Sequence, residues 1–145
     1  LWFLHSDSGL TLEHLQYLRQ LNDSVIWGRF DVQLSGERWM FRVSETMMNW
    51  RSSKTGIATG DQAIFILREL FEKVGGFPDQ PLMEDVEISK RLNRYGKPAC
   101  IHTPLTTSSR RWEQRGIVRT ILLMWRLRLF YWLGVDVTKL ARMYR

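Results

Sequence analysis

Residues 74–92 constrain the fold more than any other stretch, because they hold a helix end, a loop and a helix start. Gly75 and Gly76 can adopt the left-handed conformation that closes a helix. Pro78 and Pro81 hold the residues after them extended. Two carboxylates follow, and the helix macrodipole favours negative charge in a first turn. The pattern predicts one helix that ends near residue 74 and another that begins near residue 84.

Asp85 differs from the other acids of this second helix. It shares one stripe with Ile88, Leu92 and Tyr95, at spacings of three, four and three residues. Glu84 lies on the neighbouring stripe, where Glu87 and Arg91 have ion-pair spacing and indicate a solvated face. An inward carboxylate either caps backbone N–H groups or acts in a cleft. On the helix alone, capping is the better explanation.

Apolar runs and helical periodicities alternate along the chain, which predicts an α/β layered sheet with its site at the carboxyl ends of the strands. The predicted strands are residues 1–4, covered on both faces, 25–34 with a bulge at Gly28, 63–67 and 99–102. The predicted helices are residues 12–21, capped by Thr11, and 37–51, 68–73, 84–92, 113–133 and 137–144. Residues 106–112 are predicted to be extended and polar. The polar turns after the strands are expected to converge on one crevice.

Two of these helices carry an apolar stripe that we predict to be buried. In residues 37–51 the stripe consists of Met40, Val43, Met47 and Trp50. A stripe of methionine and aromatic residues at helical spacing is usually part of a core. Leucines at positions 12, 15, 18 and 21 form the apolar face of the first helix.

Composition limits the class of protein. The chain has 145 residues, enough for one domain with a proper core, and its 44% apolar content with seven Trp and seven Phe excludes a disordered chain. The single cysteine, Cys100, excludes an internal disulfide framework and fits a reducing compartment, so we expect a cytoplasmic protein. No secretory signal pattern is present at the start. Leu1 is not an initiator residue, and the chain is expected to begin inside a fold.

The net charge of +6 is concentrated at the C-terminal end. Residues 106–145 contain nine Lys and Arg against two acids, so that part carries +7 and residues 1–105 carry −1. This asymmetry indicates an anionic partner for the tail. Nucleic acid is disfavoured, since the basic residues are interleaved with large apolar ones at core spacing.

Residues 113–133 have an amphipathic, aromatic and basic pattern. Three arginines between Ile117 and Trp132, namely Arg119, Arg126 and Arg128, argue against a transmembrane helix. The pattern fits a peripheral anchor at the inner membrane face. A helix that packs on the sheet, or on a second copy of the chain in a homodimer, fits equally well.

Two loop features could carry chemistry. Asp7 comes just after the first predicted strand, where a metal or phosphate ligand often lies, although a turn aspartate is the simpler explanation. Gly60, Asp61 and Gln62 precede another strand and are explained as a turn in the same way. On these residues alone, neither feature identifies a reaction.

Several motifs together resemble the family 2 glycosyltransferases of the GT-A fold. The matching stretches are residues 28–31, 55–62, 81–85, 111–112 and 121–128, which span nearly the whole chain. They are most similar to the group called radical-SAM/selenodomain-associated transferase 2, some of which are assigned to arsenosugar biosynthesis. The resemblance implies an inverting hexosyl transfer from a nucleotide sugar, with a UDP-type donor, to an acceptor hydroxyl.

The resemblance also implies roles for individual residues. Asp85 matches the aspartate of the Glu-Asp motif, the general base, and Glu84 precedes it. Asp7 matches the Asp-x-Asp metal motif, with His5 in the first acidic position, and implies Mg²⁺ or Mn²⁺ as cofactor. The implied substrate-binding residues are Gly60, Asp61, Gln62, Glu84, Arg111 and Trp112. Of these, Arg111 and Trp112 match the end of a Q-x-x-R-W motif, where arginine faces the diphosphate.

By the same resemblance, residues 1–112 correspond to part of a GT-A catalytic domain and residues 113–145 to C-terminal amphipathic basic helices. The family begins with two or more βα nucleotide-binding units, roughly 60–90 residues, before the point where this sequence starts. We therefore expect the isolated chain to bind nucleotide sugar poorly and to be inactive. The alternative is a non-catalytic binding or membrane-surface module that acts through its basic helix.

Overall fold

The central strand of the sheet is β1 (Trp27–Leu34), with β2 (Phe65–Ile66) on one side and β3 (Ala99–Thr107) on the other. The structure, a computed structural model, describes residues 1–144, except for the side chain of Arg111. The helices are α1 (Leu12–Gln20), α2 (Trp39–Thr55), α3 (Arg68–Lys73), α4 (Glu84–Leu92), α5 (Arg110–Arg115), α6 (Ile117–Trp132) and α7 (Val137–Tyr144), with one 3-10 turn at Gly60–Gln62. β1 pairs in parallel with β3 and antiparallel with β2, so the α/β class is confirmed with a small mixed sheet.

The glycine-rich loop and the helix after it form as predicted. Gly75 and Gly76 have φ angles of 81° and 68°, and they follow the end of α3. α4 begins at Glu84, and the side chains of Glu87 and Arg91 form an ion pair at 3.2 Å. The local pattern was therefore sufficient for this part of the chain.

The predicted bulge lies at a different place. The register between β1 and β3 shifts between Phe30 and Asp31, whereas Gly28 pairs regularly on both sides. A Cβ added at Gly28 would collide with the carbonyl oxygen of Ala99 and the ring of Phe65. The glycine is therefore explained by close packing between strands instead of a bulge.

The first four residues do not form a strand covered on both faces, as the sequence predicted. Leu1 and Leu4 are exposed, and the segment makes only an isolated bridge between Trp2 and Phe65. The backbone N–H of Phe3 donates to the carbonyl of Ile64 at 2.8 Å. The segment thus lies along the edge of the short β2 strand, and one side of the segment is exposed to solvent.

α1 begins after Thr11 as predicted, but its leucine face is only partly correct. Leu12 and Leu15 are exposed, while Leu18 and Leu21 pack against the core. The buried residue of this helix is His14. Its ring packs on that of Phe30 at 5.2 Å, and its Nδ1 accepts a hydrogen bond from the backbone N–H of Thr11. A histidine with hydrogen-bond partners therefore takes the place predicted for leucine.

The stripe of α2 that the sequence assigned to the core is largely exposed. Val43, Met47 and Trp50 are all outside the core. The polar side of α2 faces β1 instead, because β2 pairs only with the first two residues of that strand and leaves backbone groups unpaired. The side chain of Asn49 bonds both the N–H of Val32 at 2.9 Å and its carbonyl at 3.1 Å. Hydrogen bonding along this edge therefore determines which face of α2 is buried.

The C-terminal part also differs from the prediction. Gly116, with φ of 84°, separates α5 from α6, so residues 113–133 are not one helix, and the extended stretch ends at Thr107. Leu127 and Leu140 are fully buried against the start of α4, in a cluster with Met83 and Val86. Over residues 1–144, the structure contains no helix long and apolar enough to cross a membrane.

Candidate functional site

A cavity of about 530 Å³ lies between α2, the 3-10 turn, α5 and α6. Its walls contain four tryptophans and four methionines: Trp39, Met40, Met47, Met48, Trp50, Trp112, Met124 and Trp125. Val43 and Ile121 complete the apolar lining, Ser44 is polar, and Arg51, Asp61 and Arg128 are the charged residues. The stripe of α2 that was predicted to be core thus forms one wall of the cavity. In the sequence, the high content of methionine and tryptophan in that stripe was the feature that could have indicated a cavity wall.

The two arginines of the cavity, Arg51 and Arg128, form no ion pair within 4.0 Å with the described residues. One buried nitrogen of each guanidinium, Nη2 of Arg51 and Nε of Arg128, has no hydrogen-bond partner among the same residues. Burial of a charge without a close partner is unfavourable.

The pKa shifts of these arginines have a common cause. Burial, followed by repulsion from Arg128, lowers the pKa of Arg51 to about 10 against the attraction of Asp85. Burial also lowers the pKa of Arg128, and here Asp85 and then Asp61 oppose the shift. The two cations and two carboxylates therefore form one electrostatic cluster around the cavity.

Asp85 makes the capping contacts expected of a first-turn acid. Its Oδ1 accepts a hydrogen bond from the N–H of Val86 at 2.7 Å, and its Oδ2 accepts one from the N–H of Gly60 at 3.0 Å. The second bond ties α4 to the 3-10 turn that carries Asp61. Asp85 is half-buried beside this turn, and it is Asp61 that lines the cavity.

The polar turns lie close together only in part, although the sequence predicted that they converge. The ring of His5 lies against Gly60, where an added Cβ would collide with its Nε2. The turn after the first segment, the 3-10 turn and the start of α4 are therefore adjacent. Asp7 is turned away towards β3, where its Oδ1 accepts a hydrogen bond from the hydroxyl of Thr107 at 3.5 Å.

Gln62 has an internal role instead of the predicted contact with substrate. It is fully buried, its Oε1 accepts a hydrogen bond from the N–H of Thr59, and its Nε2 donates to Oδ1 of Asn49 at 3.1 Å. It therefore joins the 3-10 turn to α2. We correct its assignment accordingly, since the fully buried side chain has no exposed surface that a ligand could contact.

The remaining predicted site residues are divided between the cavity and the surface. Trp112 lines the cavity and packs against the cluster around Phe41. Glu84 is exposed at the first position of α4 and does not line the cavity. The side chain of Arg111 lies outside the described part of the chain, although its backbone belongs to α5.

The predicted metal site is not a multi-carboxylate site. Within the described residues, no group of three His, Cys, Asp or Glu side chains could hold a metal ion. A lone exposed carboxylate such as Asp7 is compatible with Mg²⁺ or Mn²⁺ only where substrate phosphates supply further oxygens.

The cavity combines aromatic and thioether walls with two unpaired cations beside two carboxylates, an arrangement suited to an amphipathic ligand. No family model matches the chain, and neither does any curated protein or solved structure. Function is therefore inferred from the residues themselves.

Proposed function

We propose that this chain is part of an inverting glycosyltransferase that moves a sugar from a UDP-type nucleotide donor to an acceptor hydroxyl. The observation that carries the proposal is the junction of Asp85 with the turn that bears Asp61. Two backbone N–H groups orient the carboxylate of Asp85 at the start of α4, and one of them belongs to Gly60, the neighbour of the cavity residue Asp61. The resemblance of residues 55–62 and 81–85 to family 2 motifs supports the same reaction.

In this proposal Asp85 is the general base. Each carboxylate oxygen that accepts a backbone hydrogen bond retains a second lone pair, so Asp85 can still accept a proton from the acceptor hydroxyl. Removal of that proton as the oxygen attacks the anomeric carbon contributes typically 10²–10⁴-fold to the rate. Asp61 and Trp112, on the cavity wall, would bind and orient the acceptor.

The donor side would involve other residues. Arg111 on α5 is proposed to pair with the diphosphate, since a guanidinium matches two phosphate oxygens. Glu84 and Gly60 would contact substrate at the edges of the site. Asp7 is the proposed ligand for Mg²⁺ or Mn²⁺, which would neutralise charge on the diphosphate when bound.

The donor site can be tested by calorimetric titration of the full gene product with UDP, with and without Mn²⁺. We expect binding that requires the cation and is weakened at least about tenfold by Asp7→Ala, because one carboxylate fewer would hold the metal. Asp23→Ala, at another exposed aspartate, is the matched control and should bind as the parent does. UDP binding that requires neither the cation nor Asp7 would contradict the donor assignment. The absence of UDP binding to the full gene product would contradict it as well.

A specific observation favours the second candidate function, a membrane-surface module. The outer face of α6 presents exposed apolar residues at spacings of four, three, four and three: Val118, Leu122, Trp125, Leu129 and Trp132. Arg119 and Arg126 are exposed on the same helix. A second copy packed on this face would bring like charges together, whereas an anionic bilayer would pair with them.

Vesicle co-sedimentation tests this second candidate. We expect binding to vesicles that contain phosphatidylglycerol, weaker binding at high salt, and little binding to neutral phosphatidylcholine vesicles. Leu129→Ser should reduce the bound fraction severalfold, since it removes apolar area from the face. Leu12→Ser, at a leucine on α1 that is more exposed than Leu129, is the control. Equal effects of the two substitutions, or equal binding to neutral vesicles, would exclude a membrane role for α6.

A further inference from the structure

We propose that the cavity binds a small apolar molecule that carries one anionic group, a carboxylate or a phosphate monoester, held between Arg51 and Arg128. The inference that the cavity is a binding site does not depend on the proposed sugar transfer. The identification of this ligand as the acceptor rests on the proposed function. Three features of the cavity support the inference.

The first feature is the shape and lining of the cavity. Its volume of about 530 Å³ is within the range of small-molecule sites. Trp39 and Trp50 are 72% and 64% exposed at its mouth, which leaves large aromatic surfaces in contact with water. Methionines on the other walls can adjust to irregular apolar shapes. The body of the ligand is therefore expected to be apolar.

The second feature is the pair of unpartnered cations. The guanidinium groups of Arg51 and Arg128 repel one another, and each has a buried N–H without an acceptor in the described part of the chain. An anion between them would relieve the repulsion and accept hydrogen bonds from both. Carboxylates and phosphates match the donor geometry of a guanidinium group, so these are the chemical classes expected.

Asp85 does not fill this role. Both of its oxygens already accept backbone hydrogen bonds, and it forms no ion pair within 4.0 Å with either arginine. Its attraction acts at a longer distance and opposes the lowering of both arginine pKa values by burial. A ligand anion between the guanidinium groups would therefore pair with them more closely than Asp85 does.

The third feature is the continuity of the cavity with the outer face of α6. Trp125 belongs both to the cavity wall and to the exposed stripe of that helix. A chain-like apolar body could therefore extend from the arginines along the wall and out over this stripe. A single head group with a longer apolar tail fits this geometry better than a compact polar metabolite does.

The test compares three probes that share a twelve-carbon chain: laurate, dodecyl phosphate and the neutral dodecanol. Each is titrated into the full gene product below its micelle concentration, with tryptophan fluorescence and calorimetry as readouts. We expect laurate or dodecyl phosphate to bind at least tenfold more tightly than dodecanol, and the stronger of the two identifies the head group. Dodecanol binding equal to both acids would overturn the proposal without any mutation.

Substitutions then locate the head group. Arg51→Met and Arg128→Met should each weaken binding of the anionic probe at least tenfold while leaving dodecanol binding nearly unchanged. Arg126→Met is the matched control on α6, because Arg126 is exposed and packs over the ring of Phe130. Equal losses in Arg126→Met and Arg128→Met would show non-specific attraction to the basic helix and would contradict the site.

The outcome is separable from that of the proposed function. Anionic probes that bind while no nucleotide sugar is turned over would leave the cavity assignment standing and remove only the glycosyltransferase role. Turnover of a nucleotide sugar without any binding of the anionic probes would remove only the cavity assignment. A dimer that appears on size exclusion and buries the cavity mouth would instead identify a second copy as the occupant, and would overturn the inference.

Discussion

Asp85→Asn is expected to lower the rate of sugar transfer by the full gene product at least about 10²-fold, because an amide cannot take the proton of the acceptor hydroxyl. Asparagine has the same shape as aspartate, and its oxygen can still accept a hydrogen bond from one of the two backbone N–H groups that Asp85 serves. Donor affinity should therefore change little. The measurement is turnover at saturating donor, together with calorimetric binding of UDP.

The structural role of Asp85 has to be separated from its chemical role. Loss of one backbone hydrogen bond should cost about 1 kcal/mol of the free energy of unfolding, which urea denaturation would detect. Asp79→Asn is the control, because Asp79 is exposed in the loop before the same helix. Unchanged turnover in Asp85→Asn, with stability lowered as expected, would reduce Asp85 to a capping residue and remove the proposed base.

Arg29→Met is expected to lower the free energy of unfolding by about 3–5 kcal/mol, as removal of one partner from a buried ion pair does. Arg29 is fully buried and forms an ion pair with Asp31. Its Nε donates to the hydroxyl of Ser52 at 3.1 Å and its Nη2 donates to the carbonyl of Asn49 at 3.0 Å. The substitution would leave the two hydrogen-bonding oxygens without this donor, and Asp31 would keep only its contact with Nδ1 of His102 among the described residues.

The control for this prediction is Arg91→Met. Arg91 pairs with Glu87 at 3.2 Å on the partly exposed side of α4, where such a pair contributes about 0–1 kcal/mol. Both variants are measured by urea denaturation. The double variant Arg29→Met with Asp31→Leu should recover part of the loss, since no unpaired charge remains. A loss below 1 kcal/mol in Arg29→Met would show that the buried network does not stabilise the fold.

Several local features of the chain could be predicted from the sequence because they depend on neighbouring residues. The ends of α3 and the start of α4 follow from glycines, prolines and first-turn carboxylates, and the pair of Glu87 with Arg91 follows from its spacing. The capping role of Asp85 was also the better explanation from the helix alone. These interactions span one or two helical turns, so a short window of sequence contains both partners.

The candidate site could be predicted only in part. Asp61 and Trp112 were identified from the sequence and do line the cavity, whereas Gln62 was assigned to substrate and lies in the interior. Arg51 and Arg128 were not recognised as a pair. They are 77 positions apart in the numbering, on α2 and α6, and no local spacing relates them.

The sequence by itself determined where most helices and strands of this protein form, since hydrophobic period, caps and turn residues act locally. The tertiary structure decided which face of α2 is buried. The unpaired edge of β1 needed hydrogen-bond partners, and Asn49 on the polar face of α2 supplied them. The methionine and tryptophan stripe was therefore left facing outward, where α6 completes it into a cavity with unpaired cations. A periodic pattern shows that a helix has two faces, but the hydrogen-bonding needs of the neighbouring strand determine which one is buried.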